Sequence, residues 1–542
     1  MKKRASKGSG KSHIKHKKFG DYNISPLEDH QKKGNLLKTP LNNLPGLSFT
    51  SWIDDYAPNI IWACILASSL NRKHYLRLFR SVISNMKAEV EKYNEHFICH
   101  NTLALLSESE FDAAFRAILA DSVASEALRS LLLIDWLPDR SHWSRHLAAP
   151  DPATHYEVLA RSIAGCFDHQ SEMATDVRWL KVAYGAICGR IFFAETTRET
   201  AEGIIQFPEH GDMRRVRPSI RSMELSTRNF EKPSETDVRP LQEIDAEDFW
   251  REMKSKTQCI FHFDGTMPAT GPIELRDEIM RVFEDAQHHF DDTVKTTKAD
   301  PRHDGAFGLV LYCLTLLLDA TISYSHCLVE GRTILRMIVE ALITLEYLTK
   351  KDNESLWLQY RRYGSGQAKL AFLKNLREDT IPEFFDLDLM SRLANEDMWL
   401  EFQDINIGNW AETNLRKMAE ESRIKDIYDK YYDITSGYAH SQWACVRNTV
   451  FINCMNPLHR FHRAPGPPIA VMPSILMDGC RLANRMLDSL NQLYPTFKPR
   501  IKWRNQSDTK GASTPSSVDD DPQGEAPTGG SAKPVNSTEP IA

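Results

Sequence analysis

From Pro58 to about Tyr494 the apolar residues recur almost everywhere at the spacing of a helix face. Alternation of the kind a half-buried strand needs is nearly absent, and its best candidate, Cys259–Phe263 (CIFHF), is short. That regularity predicts an all-α chain. Local signals place the helix starts. Pro58 opens the apolar segment IIWACILASSL, and Asn71 is positioned to cap the next segment, where Leu76, Phe79, Ile83, Met86 and Val90 share a face. Ser107 and Glu110 form a capping box ahead of Phe111, Phe115 and Ile118. Asp151-Pro152 reads as a cap followed by proline at the first helical position.

The pattern divides the 542 residues into two helical-bundle domains with disordered tails. Residues 1–45 form a basic tail rich in Lys, Gly, Ser and His. Residues 46–206 are the N-terminal helical domain. Residues 207–272 are read as a linker and irregular segment, broken by Pro208, Pro218, Pro233 and Pro240 and carrying Arg214, Arg215, Arg217 and Arg221. Residues 273–497 are a C-terminal bundle, with helices expected over about 273–297, 303–327, 328–350, 353–377, 388–405, 410–422, 424–450 and 470–494. Residues 498–542 are a Ser/Pro/Gly/Asp-rich second tail.

Charge and motifs narrow the function classes. A formal net charge of −6 argues against a general polyanion binder, although a local basic patch stays open. The apolar run Gly308–Leu318 ends at Asp319, too short to cross a bilayer, so a buried core helix and no membrane insertion are expected. The N-terminus has the positive charge of an export signal without its apolar core, so the expected location is cytoplasmic and the ten scattered cysteines are expected as reduced thiols. None lies in a C-x-x-C pair, and the phosphate-cradling, dinucleotide, nucleophile-elbow and H-E-x-x-H motifs are missing. No cofactor is expected, and no reaction is legible.

Three groups of residues remain as candidates. Glu284, His288 and Asp292 fall at i, i+4 and i+8 on one helix and would offer carboxylate and imidazole to a metal. A solvated face with helix-spaced ion pairs gives the same pattern. Arg460, His462 and Arg463 form a basic, aromatic-interleaved loop suited to stacking and phosphate contact with single-stranded RNA, or to nothing beyond solvation. Arg336 and Glu340 sit four apart within an apolar helix, and an ion so placed needs a partner. With Ser436 and His440 they predict a buried polar network, which either fixes helix register or lines a pocket.

The order R-x-x-x-E (Arg336, Glu340) with Tyr347, W-x-x-Y (Trp357, Tyr360) and Y-x-x-x-S-x-x-x-H (Tyr432, Ser436, His440) resembles a large bacterial family known only as a domain of unknown function, over about residues 300–460. The segment around Trp52–Trp62 resembles N-terminal extensions of some members. The resemblance implies a helical bundle distantly related to the HEPN domains, many of which are ribonucleases of toxin and phage-defence systems. It makes His440 with Arg336 or Arg447, together with Glu340, the candidate catalytic set. The Arg-to-His spacing of active HEPN nucleases occurs only at Arg140–His146 and Arg281–His288, outside the resembling segment and at the frequency chance gives. His440 precedes Arg447, the reverse order. The expectation is therefore an uncharacterised bacterial helical protein serving as an interaction or regulatory component, in a stress or phage-defence setting. Its partner would be a protein, RNA or a second copy of the chain. A HEPN-like RNA-binding protein or ribonuclease and a helical metalloprotein are the alternatives.

Overall fold

The computed structural model describes residues 27–40, 42, 51–86, 98–187, 191, 198–227, 246–262, 267–378, 380–396 and 398–503. Helices dominate these residues, and strands are confined to two short pairs. The chain divides into two units: Met1–Phe263 with Asn453–Ala464, and Asp264–Ile452 with Pro465–Ala542. Each encloses its own apolar core.

The first unit is built around the helix Ile61–Ser69, which is apolar on all sides and buried from Ile61 to Ala67. It packs against Ser122–Leu128, Pro152–Ala164 and Glu172–Ile187. Trp62 lies edge-on to Phe79 and Phe115, at 5.9 and 5.2 Å, and its indole N–H donates to the Ile98 carbonyl. Fully burying side chains of this size contributes about 1.5–3 kcal/mol each. The capping box closes as the sequence predicts: the Ser107 hydroxyl accepts from the Glu110 N–H, and the Glu110 carboxylate accepts from the Ser107 N–H. Asp151 caps Pro152–Ala164, and the Asn71 side chain accepts from the His74 N–H.

Two stretches differ from the expected organisation. Within the tail 1–45, Gln31–Lys33 and Leu36–Lys38 pair antiparallel across Gly34, whose φ of 60° suits glycine. Residues 213–227, expected in the linker, form the helix Met213–Thr227 with Pro218 inside it. The prolines and arginines hid the stripe Val216 and Ile220, both buried in the first core. Two of the four arginines dock this helix: Arg217 pairs with Glu172 at 2.7 Å, and Arg221 donates to the Thr175 hydroxyl, while Arg214 and Arg215 are exposed. Residues 1–26, 228–245 and 504–542 of the tails and linker lie outside the described residues, as do most of 188–197.

In the second unit the helix Pro301–Ile322 packs against Ile273–Thr293, Val329–Lys351, Glu354–Asn375 and Leu476–Leu493. The run Gly308–Leu318 lies within it. At 22 residues it is the one described helix long and apolar enough to cross a bilayer, and more than half of its apolar stretch is buried inside the protein. After Ile452 the chain re-enters the first unit for Asn453–Ala464, where Leu458 joins that unit's core, and then leaves again. These residues interrupt the C-terminal bundle expected over 273–497.

Candidate functional site

Of the residues expected to form a polar network, the structure assembles some and separates others. The helix Val329–Lys351 carries Arg336 and Glu340, whose side chains pair at 3.1 Å. Opposite them, residues Tyr428–Tyr432 take one π-helical turn. Such turns insert a residue, re-aim side chains and recur at functional sites. Here the turn stacks Tyr428 on Tyr432 at 4.8 Å. The Arg336 guanidinium donates to the Tyr432 hydroxyl at 3.1 Å and lies 5.1 Å from its ring centre. Burial, with Glu340 beside it, raises the Tyr432 phenol above its ordinary range, so it stays protonated. The assembled group is thus Arg336, Glu340 and Tyr432.

His440 is not part of it. It is exposed just past the helix Asp433–Ala439, about 12 Å along the axis from Tyr432. None of the described hydrogen bonds or ion pairs joins its ring to Arg336. Arg447 stands half-buried on the next helix, Trp443–Val450, and Ser436 is half-buried. An imidazole beside a guanidinium, which His440–Arg336 acid–base chemistry would need, is not what the packing provides.

Sequence reasoning missed a second feature of the same unit. Between Leu376 and Asn409 the chain makes an excursion through the helix Leu387–Ala394 and irregular segments. Among its described residues only Ala394 and Gln403 are buried. Eight large apolar side chains are exposed there, among them Phe384 (88%), Trp399 (65%), Phe402 (71%) and Ile407 (90%). Trp399 and Phe402 touch at 5.5 Å. The excursion carries nine acidic side chains against two basic ones, Arg377 and Arg392. It is held at one end on the helix Glu354–Asn375. Lys369 donates to the Gln403 carbonyl, and the Gln403 amide donates to the Arg362 and Asp404 carbonyls. Expecting one helix over 388–405 concealed it, since a helical reading assigns those apolar residues to a core.

Residues 306–454 match a family described as a family of unknown function, DUF5677. The match agrees with the resemblance read from the sequence and spans both the Arg336 group and the excursion. It covers a minority of the chain. No curated protein and no solved structure matches.

The two remaining candidate groups exchange roles. Glu284, His288 and Asp292 lie exposed on the helix Ile273–Thr293, and the His288 Nδ1 is turned to the Glu284 carbonyl of its own helix. No other element brings ligands to them among the described residues. In the basic loop, Arg460 pairs with Asp54 and covers Phe167 and Phe461, with its guanidinium carbon 5.0 and 4.1 Å from their centres. Arg463 is half-buried, with its Nε enclosed and lacking a hydrogen-bond partner. His462 points inward: its Nδ1 is 3.7 Å from the Cys259 Sγ. Cys454 and His459 are paired alongside, Sγ to Nδ1 at 3.2 Å. The ligand-type atoms of Cys259, Cys454, His459 and His462 all lie within 4.8 Å of one another. Burial, with Lys254 nearby, lowers the affinity of both imidazoles for a proton below the ordinary histidine range. The sequence signal was C-x-x-x-x-H-x-x-H over 454–462, incomplete without a cysteine 195 positions upstream.

Proposed function

We propose that the second unit serves as a protein-interaction module and that the excursion Leu376–Asn409 is the surface it offers. The observation that carries this reading is the exposure of eight large apolar side chains within one short acidic segment. Soluble proteins leave single apolar residues exposed routinely, but a concentration of aromatic anchors rimmed by one sign of charge is how docking surfaces are built. The acidic rim commits the partner to a basic protein segment with apolar anchors. It repels a phosphate backbone, which weighs against RNA at this surface. The Arg336 group is then a register lock, its guanidinium engaged by a carboxylate and a tyrosine.

A cytoplasmic setting belongs to the same reading. None of the nine described cysteines is in a disulfide, and even Cys64 and Cys166 hold their sulfurs 3.9 Å apart, as thiols do in a reducing compartment.

Titrating the full chain with a basic amphipathic peptide, and separately with a single-stranded RNA oligonucleotide, tests the proposal. Peptide binding that weakens with salt and is lost in the double variant Phe384→Ser/Ile407→Ser is expected. RNA binding without peptide binding, or peptide binding unchanged in the variant, would contradict it.

A further inference from the structure

We propose that Cys259, Cys454, His459 and His462 bind one zinc ion in a closed tetrahedral site within the first unit. The residue types and spacing carry the argument. Two sulfurs and two imidazole nitrogens are the ligand set of structural zinc, with bonds of about 2.3 Å to sulfur and 2.0–2.1 Å to nitrogen. A tetrahedron of those bonds has sulfur–nitrogen edges of roughly 3.5 Å. Two of the four such separations here, 3.2 Å for Cys454–His459 and 3.7 Å for Cys259–His462, bracket that value, and all four ligand atoms lie within 4.8 Å of one another. No carboxylate belongs to the group, so the soft donors select zinc over calcium or magnesium. Four protein ligands fill a tetrahedron and leave no position for substrate, which makes the site structural.

The surroundings orient the ligands. The Thr257 hydroxyl donates its proton to the Met253 carbonyl at 2.7 Å. Its oxygen therefore accepts from the His459 Nε2–H at 2.8 Å and from the Asn456 amide at 3.2 Å. That assigns the His459 proton to Nε2 and turns the Nδ1 lone pair toward the sulfurs, the outer-shell arrangement that metal-binding histidines use. Asn456 also donates to the Gln258 carbonyl, and the Met455 N–H donates to the Ile260 carbonyl, so the ligand loop is fastened to the segment that holds Cys259. The Cys454 N–H donates to the His462 carbonyl and closes the loop on itself. The Lys254 ammonium donates to the Cys259 sulfur at 3.5 Å. Binding breaks two S–H bonds, forms two Zn–S and two Zn–N bonds, and releases two protons without a change of oxidation state.

The site also explains why the chain returns. Cys259 lies just before the first unit ends at Phe263, Cys454 just after re-entry at Asn453, and His462 just before the second departure at Ala464. One ion clips all three passages of the backbone together inside the first unit.

Metal analysis of the full chain, purified without chelator, tests the assignment. About one zinc per chain is expected, falling to background in Cys259→Ser and Cys454→Ser. Less than a tenth of an equivalent in the parent after incubation with equimolar zinc would overturn it. So would zinc content unchanged in both variants, which would place the metal elsewhere, for example on His13 and His16 of the N-terminal segment. Should the cysteine variants fail to fold, the parent and Thr257→Val decide. Cobalt(II) added to the parent should give the absorption of a tetrahedral thiolate complex. Thr257→Val should weaken metal affinity about 10–100-fold at unchanged stoichiometry. A cobalt spectrum of octahedral oxygen ligation, or an affinity unmoved in Thr257→Val, would reject the site.

Discussion

Two buried titratable side chains, one in each unit, make quantitative tests. Glu224 is 1% exposed and lies 3.6 Å from both Arg178 and Lys181, themselves buried. Those cations rest on aromatic faces, Arg178 over Trp52 and Lys181 over Tyr56. Removing the carboxylate alone leaves two buried cations without it. Glu224→Ala is therefore expected to lower the stability of the first unit by about 3–5 kcal/mol, measured by denaturant unfolding; a loss below about 1 kcal/mol would show that the pairings are dispensable. In the second unit His303 is enclosed by Phe290, Phe307 and Tyr494. Its Nε2 donates to the Thr293 hydroxyl, and its Nδ1 is enclosed without a partner. Burial holds its pKa below the ordinary value, so protons bind the unfolded chain more readily than the folded one. The stabilisation is full above the ordinary histidine pKa of about 6.5 and is lost as pH falls through the lower folded value. Unfolding midpoints of the second unit should drop with acidification across that window, and His303→Phe should flatten the drop. An equal slope in the variant would assign the acid sensitivity to other groups.

At the scale of elements, what could be read in the sequence was what short-range chemistry decides. Ser107 with Glu110, and Asp151 with Pro152, announced their helices because cap and capped group are neighbours in the chain. The pair Arg336–Glu340 was legible for the same reason, at one helical turn. Of Tyr432, Ser436 and His440, spaced four apart, only Tyr432 at the end of the π-helical turn reaches Arg336 by a hydrogen bond, and the exposed His440 does not. The helix Met213–Thr227 was hidden because Pro218 and four arginines outweigh Val216 and Ile220 in any local count. Cys259 is separated from the other three ligands by the stretch Asp264–Ile452 of the second unit. The excursion was misread as one helix because its apolar residues suit a core that it never enters. Its attachment gives an element-scale test. A β-carbon at Gly366 would meet the Asp404 carbonyl oxygen at 2.7 Å, backbone that cannot swing aside. Gly366→Ala should lift residues 403–404 from the helix Glu354–Asn375, cost about 1–3 kcal/mol, and raise protease cleavage between 376 and 409. Cleavage unchanged from the parent would mean that the excursion is held elsewhere.

For the whole molecule, the account is of two units with separate cores, the first re-entered by the chain and clipped there by a metal. The most direct measurement is hydrogen exchange by mass spectrometry on the full chain, with and without a zinc chelator. Loss of the ion should speed exchange at 246–262 and 453–464 first, then through the first core at 61–69, because metal-binding energy is folding energy for the segments it joins. Exchange within the second core, at 335–348, should stay unchanged. Acceleration of both cores together, or of neither, would contradict the account.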